Sequence, residues 1–442
     1  MTKVITYGTY DLFHYGHQRL LERAKKLGDY LIVGVTADDF DKQRGKINVK
    51  QSLMERIESV RATGLADEII IEEYEGQKID DIRKYDVDIF AIGSDWVGHF
   101  DYLKDYCDVV YLERTKGVSS SDIRSEYRAI NLGLVGEGNI LKKFYDESKF
   151  VNGIAVNAVF THDENEKESY HEEELTLTDS YEELLDAVDA VFIISHPSNH
   201  YSQIKQALIK GKHVLCESPL TLNEEEYLEL EDLAISNNLI LMDSIKTAYS
   251  TAYNRLLLLL KGGNIGDIYS IDATCTSLRE VTDNSWNSIT SWAPTALLPI
   301  FQILGTDYKD KTINSLVLDE KSNFDLFTKI DFIYENAVAS IKVANNVKSE
   351  GELIISGSKG YAYVPAPWWK TDYFELRYEN QEENKKYFYQ LDGEGIRYEL
   401  VAFAKSIEIL KNNTYIDSEV SRAICKVMED FENKKFNKIN KY

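Results

Sequence analysis

The sequence predicts an α/β chain: two successive three-layer units, each on a parallel, doubly wound sheet, then an α+β unit on a mostly antiparallel sheet. Three observations carry this. Short β-rich runs alternate with helical patterns from Lys3 to about Arg128, the alternation restarts at Ile130, and after about Tyr249 strands follow one another directly. At 442 residues the chain exceeds one ordinary hydrophobic core. Boundaries are expected at 1–128, 129–248 and 249–442.

In the first unit the runs "KVITYG", "YLIVGVT", "EIIIEE", "DIFAIG" and "VVYLER" read as strands. The first helix, "HQRLLERAKKLG", carries Leu20, Leu21, Ala24 and Leu27 at i, i+1, i+4 and i+7, with Gly28 expected to stop it. In the second unit "INLGLVGEGN" turns through glycines into a helix, and "GIAVNAVF", "AVFIIS", "HVLCES" and "LILMDS" continue the strands, alternating with helices such as "HYSQIKQALIKG". The third series is "DIYSIDATCTS", "TINSLVLD", "TKIDFIYENAVASIKVAN", "GELIISG" and "KGYAYVP", closed by helices near Glu399–Lys411 and Ser418–Glu432. No low-complexity linker separates the halves, which are expected to join through a helix near Asp122–Arg128.

Composition excludes several classes. No apolar run reaches the roughly 18 to 20 residues of a membrane helix, and the first residues lack the basic region and cleavage site of a secretory signal. A cytoplasmic protein with no membrane partner is expected. Cys107, Cys216, Cys275 and Cys425 are widely spaced, which favours reduced thiols over a zinc site. A formal charge of −24 opposes a nucleic-acid surface, so any phosphate must be held locally.

"GTYDLFHYGH", Gly8 to His17, lies where a parallel sheet places ligands, beyond the carboxyl end of a strand and before a helix. His14 and His17, at i and i+3, share a helix face at an N-terminus that offers unpaired N–H groups and partial positive charge. Gly16 lets the backbone approach a ligand. Two readings stand: an anion site in which two imidazoles stabilise charge on a reacting phosphate, or a plain helix cap.

Gly8–His17, with "RTKGVSSSDIR" from Arg114 to Arg124, resembles the cytidylyltransferase family, its glycerol-phosphate branch more than its choline- and ethanolamine-phosphate branches. The resemblance covers residues 1–128 and implies a Rossmann-like nucleotidyltransferase fold. It also implies transfer of CMP from CTP to a phosphorylated alcohol, with release of pyrophosphate, Mg²⁺ and no covalent intermediate. By the same resemblance His14, His17, Lys46, Asp95 and Arg114 are catalytic. Gly8, Thr9, Tyr10, Asp11, Gly16, Arg56, Thr115, Ser119 and Ser120 bind the nucleotide, and Asp11 and Asp95 lie near the metal; the serines would also serve as helix caps. Four positions depart from the family: Gly64 replaces an arginine, with Arg61 one turn earlier, Glu75 a frequent tryptophan, Ser94 a frequent aspartate, and Arg44 a lysine. Most touch the acceptor or phosphate side, so the nucleotide is better defined than the alcohol. The expected product is a CDP-polyol for a surface polymer such as teichoic acid or capsule.

From about Ile130 the chain resembles the Gfo/Idh/MocA oxidoreductases, on "HPSNHYSQIKQALIKGKHVLCESPLTLNEEE", "GGNIGDI", "ISGSKGYAYVPAPWWK" and "SEVSRAICKVMED". That implies NAD(P), with Gly136, Gly138, His196, Glu217 and Pro219 at the dinucleotide. Leu141 stands where a third small residue helps packing. Beyond that, three features of active members are missing, the first being the lysine of an E-K-P motif, replaced by Ser218. "SWAPTALLPIFQILG" is shorter than the family's substrate segment, and Thr161 and His162 stand where an acid would grip a ribose. The expectation is a retained fold used for dimerisation, substrate capture or scaffolding in a homo-oligomer, a dimer or tetramer, with NAD(P) binding left open. The alternatives are a bifunctional enzyme that also reduces a keto-sugar phosphate with NAD(P)H, and a nucleotide-responsive binding protein.

Overall fold

The computed structural model describes residues 1–37, 49, 51, 53–74, 76–113, 129–151, 153–163, 167–170, 175–278, 286–319, 324–389, 391–411 and 415–439; of Asp95, Asn139 and Asp319 it describes the backbone alone. The chain divides into two compact units, Met1–Ala129 with Lys149–Gly153, and Ile130–Ser148 with Ile154–Tyr442.

The first unit runs β1 (Lys3–Gly8), α1 (Tyr15–Lys25), β2 (Tyr30–Thr36), α2 (Leu53–Ala62), β3 (Glu68–Glu72), α3 (Gln77–Tyr85), β4 (Ile89–Gly93) and β5 (Asp108–Leu112). The sheet order is β3-β2-β1-β4-β5 and every pair is parallel. Successive strand residues face opposite layers. Val4, Leu31 and Val33 therefore pack with Leu21, Ala24, Ile57 and Val60 of α1 and α2, whereas Ile5 and Ile32 pack with Ile82 of α3. This is the expected doubly wound sheet. Gly28 does something other than expected. α1 ends at Lys25 with Lys26 as its right-handed C-cap, and a Cβ on Gly28 would lie 2.5 Å from the Thr2 carbonyl oxygen. Its small size admits the start of β1, so the constraint is tertiary.

The second unit begins β6 (Ile130–Gly136), α4 (Asn139–Ser148), β7 (Ile154–Phe160), β8 (Thr176–Thr178), α5 (Tyr181–Ala187), β9 (Ala190–Ile194), α6 (Pro197–Ile209), β10 (His213–Glu217), α7 (Glu224–Ser236) and β11 (Leu241–Ser244). These strands form a parallel sheet in the order β11-β10-β9-β6-β7-β8. There follow α8 (Thr251–Lys261), β12 (Ile268–Ser277), α9 (Ser288–Leu304), β13 (Asp310–Asp319), β14 (Phe324–Ile333), β15 (Val338–Asn345), β16 (Leu353–Gly357), β17 (Tyr361–Val364), β18 (Tyr373–Arg377), β19 (Lys385–Phe388), α10 (Ile396–Ile409), α11 (Ser418–Glu432) and β20 (Asn437–Lys438). Their sheet, ordered β19-β18-β17-β16-β12-β15-β14-β13-β20, is antiparallel except at β12–β15 and β13–β20. α9 covers β12, β14 and β15 with a nearly all-apolar surface. The helix expected near Asp122–Arg128 lies outside the described residues. No helix among the described residues is long and apolar enough to cross a membrane.

Candidate active site

β1 is central in its sheet, and its two neighbours, β2 and β4, are reached by connections running in opposite directions. At such a reversal the loops diverge and leave a crevice at the carboxyl ends of the strands. The chain leaving Gly8 enters that crevice through two non-glycine residues in left-handed backbone, Tyr10 (φ 54°) and Leu12 (φ 47°). Each such residue costs about 1–3 kcal/mol and persists only where its surroundings hold it. Here they do. The Tyr10 ring is buried, the Leu12 N–H donates to Gln51 Oε1 at 2.8 Å, and the Gln51 N–H donates to Asp11 Oδ1 at 3.0 Å.

Arg56 completes the brace. Its side chain is fully buried, Nη1 donates to the carbonyls of Thr9 (2.7 Å) and Thr36 (2.8 Å), and Nε donates to that of Gln51 (3.2 Å). The turn after β1, the end of β2 and the segment before α2 are thus tied to one guanidinium. Expected as a nucleotide ligand, Arg56 has these three carbonyls as partners in the turn.

His14 is the N-cap of α1, with extended backbone, and its Nδ1 accepts the Gly16 N–H at 3.0 Å. A neutral His14 therefore carries its proton on Nε2. The His17 ring stacks on it, with centroids 3.8 Å apart and planes 23° apart, and is flanked by Tyr10 (5.4 Å) and Phe13 (5.5 Å). Capping and the paired imidazole face coexist. One expectation changes: the Gly16 amide is spent on His14, so the rings supply what that amide does not.

The remaining expected residues fall as follows. Gly8 ends β1, and Thr9, buried, offers its carbonyl to Arg56. Asp95 lies in the short turn Ser94–Trp96 directly after β4, the strand beside β1. Lys46, Arg114, Thr115, Ser119 and Ser120, with Arg44 and Glu75, lie outside the described residues. Gly64 follows α2 in left-handed backbone (φ 65°), donating its N–H to the Arg61 carbonyl, while the Arg61 guanidinium pairs with Glu58 on the surface. Sequence reasoning missed the polar floor behind the strand ends. There the buried Glu72 and Lys78 pair, Thr36 Oγ1 donates to Glu72 at 2.9 Å, and Tyr7 OH donates to Asp81 at 2.9 Å. Burial beside Asp81 pushes the Tyr7 phenol well up. No local pattern marks the Thr36–Glu72 and Tyr7–Asp81 bonds, whose partners lie on other elements, a neighbouring strand and a helix.

The second unit holds the corresponding place. β6 is also central, between β9 and β7. Gly136 at its end (φ 141°) lies against β9, where a Cβ would come within 2.9 Å of the Ile194 carbonyl carbon. Gly138 (φ 100°) faces open space directly before α4, and Leu141 behind it is fully buried. His196 caps α6, its Nδ1 2.8 Å from Ser198 Oγ and its ring edge-on to Trp286. The buried His200, not anticipated, spans the carbonyls of Pro219 and Ser195 at 2.8 Å each; burial pushes it down to about 4, against those two carbonyls, which favour the charged ring. Glu217 ends β10, before a cis Ser218–Pro219 bond. Thr161, just after β7, is buried with its Oγ1 accepting the Asp163 N–H at 3.2 Å.

Residues 5–126 match the family model of cytidylyltransferase-like proteins, and residues 130–244 that of the oxidoreductase family with an NAD-binding Rossmann fold. The glycerol-3-phosphate cytidylyltransferase of Bacillus spizizenii is 52% identical over 130 residues, 29% of this chain and 100% of that protein. That of Staphylococcus aureus is 50% identical over 129 residues, 28% of this chain and 95% of its own length. Among solved structures, KijD10, a 3-ketoreductase from Actinomadura kijaniata in complex with NADP, superimposes with a TM-score of 0.61 at 17% identity, covering 70% of this chain and 99% of its own. At that identity the likeness concerns fold alone. The chain belongs to the cytidylyltransferase family: its first unit is that of a nucleotidyltransferase, and it continues into an oxidoreductase-family fold of the Gfo/Idh/MocA type.

Proposed function

We propose that the first unit transfers CMP from CTP to a polyol phosphate, glycerol phosphate or a longer alditol phosphate, releasing pyrophosphate. The observation that carries this is the stacked His14–His17 pair at the crevice, held by the strained turn and by Arg56. An oxygen of the acceptor phosphate attacks the α-phosphorus of CTP, the new P–O bond forms as the Pα–O–Pβ bond breaks, and the electron pair leaves with pyrophosphate. Negative charge builds on the non-bridging oxygens, and preorganised imidazole N–H donors stabilise it where it builds. His14 Nε2–H is one such donor, its tautomer set by the Gly16 amide.

Asp11 and Asp95 are the carboxylates that would complete the shell of a Mg²⁺ carried on the triphosphate. When bound, the ion would neutralise charge on the leaving pyrophosphate. Among the described residues, the glycine at 64 and the surface pairing of Arg61 with Glu58 put no arginine at that position, which favours an acceptor longer than glycerol phosphate; the CDP-polyol would serve a surface polymer.

In the second unit the Gly136–Gly138 turn and the α4 N-terminus suit a dinucleotide pyrophosphate. Bound NAD(P)H would supply hydride. Ser218, however, offers no ammonium to a developing alkoxide, and we infer binding or scaffolding without hydride transfer. Pyrophosphate release from CTP against glycerol, ribitol and mannitol phosphates, with and without NAD(P)H, tests both parts. Expected is CTP-selective turnover with a polyol phosphate and no NAD(P)H oxidation. Choline phosphate as the best acceptor would overturn the polyol assignment, and steady NAD(P)H oxidation with a keto-sugar phosphate would favour the bifunctional alternative.

A further inference from the structure

Two carboxyls are sealed inside the second unit on either side of β11. Asp243, on β11, is buried, and its Oδ2 accepts from Ser421 Oγ of α11 at 2.7 Å. Glu399, on α10, is fully buried, and its Oε2 accepts at 2.8 Å from the hydroxyl of Ser244, the next residue of β11. Neighbouring strand residues face opposite sides, so the edge strand is fastened to one helix by each face. The second oxygen of each carboxyl, Asp243 Oδ1 and Glu399 Oε1, has no hydrogen-bond partner among the described residues. The buried Ser218 hydroxyl lies beside Asp243 and favours its charged form, an effect that burial outweighs.

A buried carboxylate with an open oxygen is unfavourable unless it is paired or holds a proton. The groups around these two supply little positive charge. Glu217 on β10 acts on both carboxyls, and Asp243 acts on Glu399. Cys216 on β10, Cys425 on α11 and Tyr227 on α7 adjoin Asp243, and Tyr249 adjoins both. Among the described residues Lys246 is the cation that acts on Glu399.

We propose that Asp243 and Glu399 are proton-loaded latches that dock α11 and α10 onto β11, and that rising pH releases these helices by ionising the two carboxyls. Burial pushes Asp243 up to about 7 and Glu399 up to about 8. The folded groups keep protons that the unfolded chain gives up near pH 4. Stability therefore falls as pH rises from about 4 and levels only once the folded groups have ionised, beyond about pH 8.

The test uses the full chain at about pH 6 and about pH 8.5. Unfolding of the second unit is followed with denaturant, and amide exchange in β11, α7, α10 and α11 is corrected for the intrinsic base-catalysed rate. The unfolding constant should rise about tenfold or more in the unmodified protein, and less in Asp243→Asn and Glu399→Gln, whose side chains keep the shape without the charge. Protection should fall in α10 and α11 ahead of α7. Equal pH dependence in the unmodified protein and both variants would overturn the proposal, as would loss of protection spread evenly over the unit. Should either variant fail to fold, infrared difference spectra of the unmodified protein decide. A protonated carboxyl band that disappears across the same pH interval supports the latch, and its absence refutes it.

Discussion

A histidine caps a helix at the crevice of both parallel sheets, and the two differ in what stands behind the ring. His14 lies against a second imidazole, 3.8 Å away, over a turn braced by a buried arginine. His196 lies edge-on to Trp286, with its Nδ1 occupied by Ser198. The strand, the turn and the helix N-terminus are scaffold in both, and side chains gathered from elsewhere give one of them the paired imidazoles of the proposed phosphate site. The second unit likewise turns through Gly136 and Gly138 into a helix N-terminus, and residue 218 there is a serine, without an ammonium. Fold is shared, and function lies in what is grafted onto it.

The comparison breaks first if His17 can be spared. His17→Ala should lower kcat by at least ~10²-fold with the fold intact by circular dichroism, the usual loss on removing one preorganised donor. His14→Ala should lose as much and also cost about 1 kcal/mol of stability for the missing cap. Near-normal turnover in either variant would reduce the first site to the standing of the second. The converse substitution, His196→Ala, should leave cytidylyl transfer unchanged, with the melting temperature of the second unit as its readout.

Arg56→Met sharpens the claim that the turn is held rather than merely formed. Three carbonyls lose their buried donor, each worth about 1–3 kcal/mol, so the first unit should lose about 3 kcal/mol or more in denaturant unfolding. kcat should fall further than the affinity for CTP. Loss of CTP affinity alone would return Arg56 to the role of a ligand.

Gly138→Ala probes the second crevice. Its Cβ would meet open space, but the left-handed backbone disfavours alanine by about 1 kcal/mol, and calorimetry should record dinucleotide binding weakened several-fold. The smallest effect belongs to Gly64→Ala, which should cost about 1 kcal/mol in the first unit for the same reason and leave turnover as it was.

Most of the fold was legible because it rests on local periodicity. Val4 and Ile5 alternate between two helical layers, and apolar runs of five to seven residues between helical patterns permit little besides a parallel sheet. Gly28 misled for a physical reason: as a helix stop it reads as a local conformation, whereas its contact is the Thr2 carbonyl, twenty-six residues earlier. The site divides in the same way. The pair at 14 and 17 was visible because three residues bring two side chains onto one helix face.

Sequence alone therefore determined the two parallel sheets, the placing of the histidine pair beyond the carboxyl end of a strand, and the lack of a lysine at position 218. These follow from hydrophobic period, glycine placement and residue identity, which act over a few residues. Tertiary structure alone decided that Arg56 braces the turn after β1, with one partner 47 residues away. It alone decided that His14 spends the Gly16 amide while stacking on His17, and that Glu399 closes on Ser244 across 155 residues. Burial and hydrogen-bond partners at such separations depend on how strands and helices are brought together, and no local pattern encodes them.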